Sequence, residues 1–255
     1  MFDSFALLPW EWTAWICAGL FIGLTKAGFS GLNAVIIPVI AVIFGPRLST
    51  ALILIPLCFA DVLAAAYYRK NAEWKYILRL MPWTLLGFTA AIFVVETVSS
   101  QVFRYLMGGS IFAGLIVMFW NEFLGKDKSP PVNLWFAALF GIAGGFATVV
   151  GNVAGPIMAV FLLSMGLPKE SFAGTTAWFF LIVNYAKLPI HIFLWNTINP
   201  ETLLFSLSLV PAVLSGVVLG VFFIKKISEP LYKKLIMALT LVSTVLLFIP
   251  VTSNE

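Results

Sequence analysis

Two apolar segments of this chain are too long to be single membrane helices, and a Gly-rich break interrupts each of them. They run over 12–44 and 134–165. As one helix the first would be about 50 Å long, against a hydrocarbon core of about 30 Å. Its break carries Gly23, Lys26, Gly28, Ser30, Gly31 and Asn33 ahead of Pro38. The second carries Gly141, Gly144, Gly145, Thr148, Gly151 and Asn152 ahead of Pro156. Gly23 and Gly141 are 118 residues apart, and so are Pro38 and Pro156. Helix ends opened inside a membrane expose N–H and C=O groups, which are tolerated only where protein, water or a ligand satisfies them. Breaks at matching places in two halves are therefore the sequence mark of a transporter binding site.

Composition fixes the compartment. Apolar types make up 61% of the 255 residues and charged types only 10%, where a soluble domain carries about a quarter charged. The chain reads as an all-α polytopic membrane protein, a single transmembrane domain over 1–255 with the lipid bilayer as its solvent. Its net charge of +4 belongs to helix ends that set topology, so no nucleic-acid partner is expected. No basic residue precedes Lys26, which argues against a cleavable signal segment. Cys17 and Cys58 lie in apolar runs and read as small buried hydrophobes. No spacing suits a metal or haem, and no cofactor is expected. H-E-x-x-H, G-x-S-x-G and P-loop patterns are absent, and one histidine leaves little for acid–base work. The chain does not read as an enzyme.

A hydrophilic linker over 121–133 separates repeat one (about 12–123) from repeat two (about 134–251). Pro82 and Pro211, Gly87 and Gly216, and Ser99 and Ser228 share an offset of 129, which extends the duplication through four apolar runs in each half. Basic residues decide how these runs meet the membrane. If all eight simply cross, the two sides receive six and seven Lys and Arg, which orients nothing. If the first run of each half is a hairpin that returns to its own side, eleven fall on one side and only Arg47 and Arg104 on the other. The positive-inside rule then makes the eleven-residue side cytoplasmic. The expected fold is two inverted repeats, each a broken re-entrant helical hairpin plus three transmembrane helices, with both termini outside.

The polar residues at membrane depth are few. Lys26 lies at the first break beside Ser30 and Asn33. A buried lysine costs several kcal/mol unless paired or hydrated, and is a functional candidate by default; snorkelling to an interface is the alternative. Thr148 and Asn152 at the second break serve either the substrate or the broken backbone. Asp61, in the middle of run 48–68, is ion-paired, protonated or part of a coupling pathway. Asn184 and Lys187 occupy a comparable stretch of the second half, and an Asp61–Lys187 pair across the halves is one solution. His191, the sole histidine, relays protons or packs near an interface. Thr175 and Thr176, in the run Ala173 to Ala177, face either a cavity or another helix.

The duplicated four-segment plan, the breaks ending at Pro38 and Pro156, and the Ala-Gly-Thr-Thr run at 173–176 together resemble the sulfite exporter TauE/SafE family of membrane permeases. The resemblance covers nearly the whole chain, although the first half departs from the small-residue pattern, reading Leu48, Ser49, Thr50, Ala51 after its break. It implies a secondary transporter of small organic or inorganic sulfur anions, such as sulfite, sulfoacetate or other sulfonates, commonly by export and in a bacterial inner membrane. The residues agree on class, since a lysine at a helix break with hydroxyl and amide donors suits a small oxyanion. Lys26, Ser30, Asn33, Thr148, Asn152, Thr175 and Thr176 are the candidate substrate contacts. Asp61, Asn184, Lys187 and His191 are the candidates for coupling or ion pairing. The competing classes are an anion channel of the same fold and an intramembrane enzyme or assembly factor. Homo-oligomerisation stays open.

Overall fold

The structure, a computed structural model, describes residues 5, 7–30, 32–94 and 134–248. The fourth run of the first half (102–123), the linker 121–133 and the side chain of Asn33 lie outside the described residues. All regular structure in the described part is helical. The first half contributes α1 (Pro9–Lys26), α2 (Asn33–Phe44), α3 (Pro46–Tyr67) and α4 (Trp74–Val94). The second contributes α5 (Leu134–Gly151), α6 (Gly155–Ser164), α7 (Lys169–Pro189), α8 (Pro200–Leu207), α9 (Val210–Lys226) and α10 (Glu229–Phe248). Among the described residues four stretches are long and apolar enough to cross a membrane: Leu48–Tyr67, Trp74–Phe93, Leu134–Gly151 and Lys169–Leu194. The pair α8 and α9, bent by 42°, makes a fifth. Large apolar side chains such as Leu78, Phe93, Trp135 and Val218 are exposed on the outside. The chain is an all-α membrane protein.

Both long segments are broken where their glycines cluster. After α1, Gly28 takes φ +127°, a conformation that only glycine adopts without strain, and the chain runs irregularly until Asn33. After α5, Asn152 takes φ +56°, which asparagine tolerates better than most side chains. Pro156 then sits in the first turn of α6, where its missing N–H costs nothing. Pro38 differs, since it lies inside α2 rather than at its start.

The arms on either side of each break fold back on one another. The rings of Trp15 in α1 and Phe44 at the end of α2 lie 5.3 Å apart. A continuous helix would separate these residues by roughly 43 Å. In the second half Phe161 of α6 lies 5.8 Å from Phe136 and 6.1 Å from Phe140 of α5. Each segment is a helical hairpin.

Each hairpin packs its first arm against the other half of the chain. α1 lies on α9 and α5 lies on α4. Glycines set both crossings. A Cβ on Gly23 would lie 2.7 Å from the Cα of Gly216 on α9. A Cβ on Gly141 would lie 2.6 Å from the Cβ of Trp83 and 3.0 Å from the carbonyl of Leu80 on α4. Without side chains at these points the backbones approach closely, and dispersion and weak polar contacts hold helices that lipid would not drive together. α3 packs on α7 between the two hairpins, and that central pair carries most of the polar residues described next.

Candidate functional site

A narrow cleft with room for water-sized molecules opens between the two hairpin breaks and the central pair. The end of α1 and its tip supply Thr25, Lys26 and Ser30, and the second tip supplies Thr148, Asn152 and Gly155. From α3 comes Leu57, and from α7 come Thr176, Phe180 and Asn184. The α7 residues recur every fourth position, so a straight helix presents them as one stripe. Gly155 is the first residue of α6, so the N-terminal end of that helix, with its unpaired N–H groups and partial positive charge, faces the cleft.

Two buried lysines and a buried aspartate meet here. Lys26 Nζ lies 2.7 Å from Asp61 Oδ1, with both side chains almost fully buried. Asn184 donates its Nδ2–H to Asp61 Oδ2 at 2.6 Å. Asp61 is thus paired with Lys26, and the Asp61–Lys187 pair suggested by the sequence is replaced. The reason is reach: the broken end of α1 brings Lys26 against the middle of α3, while Lys187, nearly one turn beyond Asn184, points at the second tip. There Lys187 donates to the carbonyl and the hydroxyl of Thr148, each at 3.1 Å, and to Asn152 Oδ1. Asn152 in turn donates from Nδ2 to the carbonyl of Thr50 at 3.1 Å.

A donor count separates the two lysines. An ammonium has three N–H donors. Those of Lys187 all go to the protein, which makes it a clasp for the second tip. Lys26 uses one on Asp61, stands 4.3 Å from the centre of the Phe180 ring, and lines the cleft. Two hydroxyls there, Ser30 Oγ and Thr176 Oγ1, are buried without a protein partner. A buried hydroxyl without a partner costs roughly 1–3 kcal/mol; a ligand or water removes that cost.

Two sequence candidates lie elsewhere. Thr175 accepts from the backbone N–H of Glu73 at 3.0 Å, joining α7 to the loop before α4. His191 sits in a π-helical turn, Ile190–Leu194, where Pro189 interrupts the α-helical ladder. Its Nδ1 bonds Thr197 Oγ1 at 2.8 Å, and its carbonyl accepts from the N–H groups of Thr197 and Ile198. The helical spacing from Thr176 through Phe180 to Asn184 was the available signal for Phe180. Thr25, Leu57 and Gly155 carried none.

The first tip is held by two tyrosines. Tyr68 donates its hydroxyl to the carbonyl of Ala27 at 3.0 Å, and Tyr232 to that of Gly28 at 2.7 Å. These carbonyls are freed by the end of α1, so the phenols replace the lost helical donors. Tyr68→Phe and Tyr232→Phe are each expected to lower stability by about 1–3 kcal/mol. Thermal unfolding in detergent reads this as a lower midpoint for each variant; wild-type midpoints in both would mean that the phenols do not hold the tip.

A family model described as "Sulfite exporter TauE/SafE" matches residues 15–247. Comparison with curated proteins and with solved structures gives no match for this chain.

Proposed function

Because the chain belongs to the sulfite exporter TauE/SafE family of membrane permeases for sulfite-type anions, we propose that the cleft between the hairpin breaks is where its anion binds. The observation that carries this is Lys26, a buried ammonium with donors left over, beside two hydroxyls that lack protein partners. A pyramidal or tetrahedral oxyanion offers one negative headgroup with several acceptor oxygens, which matches one cation and a few convergent donors. A sugar would meet too much charge, and a cation would meet the wrong sign.

In this reading Lys26, Ser30 and Thr176 contact the anion directly. Thr148, Asn152 and Asn184 line its surroundings, and Lys187 contributes its field from behind the second tip. The two halves act as inverted repeats with both termini outside a bacterial inner membrane, and the anion leaves by alternating access around the hairpin tips. Proteoliposomes test it. Sulfite, methanesulfonate, sulfoacetate and taurine are offered with and without an imposed pH gradient or anion counter-gradient. A transporter accumulates at least one of the anions above its equilibrium level when a gradient drives it. Flux that only follows the anion's own gradient would leave a channel, and no protein-dependent flux of any of them would remove the proposal.

A further inference from the structure

We infer that the cleft is built to neutralise one negative charge, and that Asp61 sets this limit: a doubly charged anion enters only together with a proton taken up by Asp61. This rests on the cleft being the anion site, and adds which charge class it accepts. Asp61 is completely buried and already offers its negative charge to Lys26 at 2.7 Å. The groups around it are Lys26 from α1, Asn184, Lys187 and Tyr185 from α7, and Cys58 on α3 itself. α2 and α5 contain no ionisable side chain, and Glu201 of α8 and Lys225 and Lys226 of α9 are exposed. Lys187 has a protein acceptor for each of an ammonium's three donors, on Thr148 and Asn152, so with both lysines protonated two cations stand against one carboxylate and a single positive charge is left unmatched.

A monoanion such as a sulfonate cancels that charge. A dianion leaves a net negative charge in a buried site, where uncompensated charge is strongly disfavoured. Protonating Asp61 restores the balance: water supplies H+, the carboxylate becomes a carboxylic acid, and Lys26 turns all its donors to the anion. Asn184 can serve both forms, since its amide nitrogen donates to the carboxylate and its amide oxygen accepts from the acid. The site thus tells one charge from two by a proton count, without a second binding pocket.

Methanesulfonate and sulfate make a matched pair, because a methyl group replaces one oxygen and neither ion titrates between about pH 5.5 and 8.5. Binding of each to the purified protein is measured across that range, with proton uptake followed by an indicator dye in weak buffer. Over the range where the empty site keeps Asp61 ionised, sulfate affinity is expected to rise about tenfold per pH unit toward acid, with about one proton taken up per ion. Methanesulfonate is expected to take up about one proton fewer per ion, and so to lack that tenfold step whatever slope the lysines give to both anions. Asp61→Asn is expected to bring sulfate to the pH slope of methanesulfonate. Equal pH slopes for the two anions in the wild-type protein would overturn the inference without any variant, as would a sulfate slope still steeper than that of methanesulfonate in a folded Asp61→Asn protein. If neither anion binds at any pH, while sulfite and sulfoacetate also fail, the cleft is not the anion site and the earlier reading falls as well.

Discussion

Lys26→Gln is expected to weaken anion binding by roughly a hundredfold while the protein stays folded, because the glutamine amide can still donate to Asp61 but brings no charge. Truncating one member of a buried, hydrogen-bonded charge pair costs about 2–5 kcal/mol, and a hundredfold, about 2.8 kcal/mol, lies in the lower half of that range. Lys26→Ala differs. It strands Asp61, whose Oδ1 lies 2.7 Å from the lysine nitrogen, and an uncompensated buried charge costs about 3–5 kcal/mol of stability. A loss of binding in that variant alone would therefore say little. The double variant Lys26→Met with Asp61→Leu resolves this, because a buried ion pair replaced by apolar groups of similar size is often neutral or stabilising. It is expected to unfold at or above the wild-type temperature and to bind no anion. Binding titrations at low salt, run beside thermal unfolding, read both quantities. Wild-type affinity in Lys26→Gln would move the countercharge to Lys187 and the helix ends.

Neighbouring glycines on α5 give the second large contrast. A Cβ on Gly145 would strike the carbonyl of Thr84 and lie 2.9 Å from the backbone nitrogen of Phe88. Both are backbone atoms of α4, so nothing yields unless the two helices part. Gly144, one residue earlier, would place its Cβ 3.8 Å from Ile157 Cγ2, with nothing closer. Gly145→Ala is expected to cost about 1–3 kcal/mol or more through overpacking. Gly144→Ala is expected to be neutral or to gain up to roughly 1 kcal/mol from helix propensity. Denaturation of the two variants in the same detergent measures the difference. Similar midpoints would mean that the α4–α5 crossing is not packed backbone to backbone.

Much of this arrangement was legible in the sequence because breaks are written in local chemistry. Gly28 and Asn152, which take positive φ, lie in the two runs that length alone had marked as interrupted. Lys26 was legible because a charge at membrane depth needs a reason. Its partner was not. Whether Asp61 meets Lys26 or Lys187 depends on how α1, α3 and α7 pack, and no spacing along the chain encodes a contact between helices. Thr175 and Thr176 show the same limit at finer scale. They are adjacent and chemically alike, but about 100° apart around α7, so one lines the cleft and the other bonds Glu73. Pro38 looked equivalent to Pro156 by offset, yet it falls within α2 and marks no helix start. The tyrosines that hold the first tip left no local trace, because Tyr68 and Tyr232 reach Ala27 and Gly28 from distant parts of the chain.

The exchange of hairpin arms, α1 onto α9 and α5 onto α4, means that the halves of the chain are not its mechanical parts. Any moving body that keeps these glycine contacts takes one arm from each half. Separating the halves would mean tearing open two backbone-to-backbone seams. The chain is stitched across its own midline.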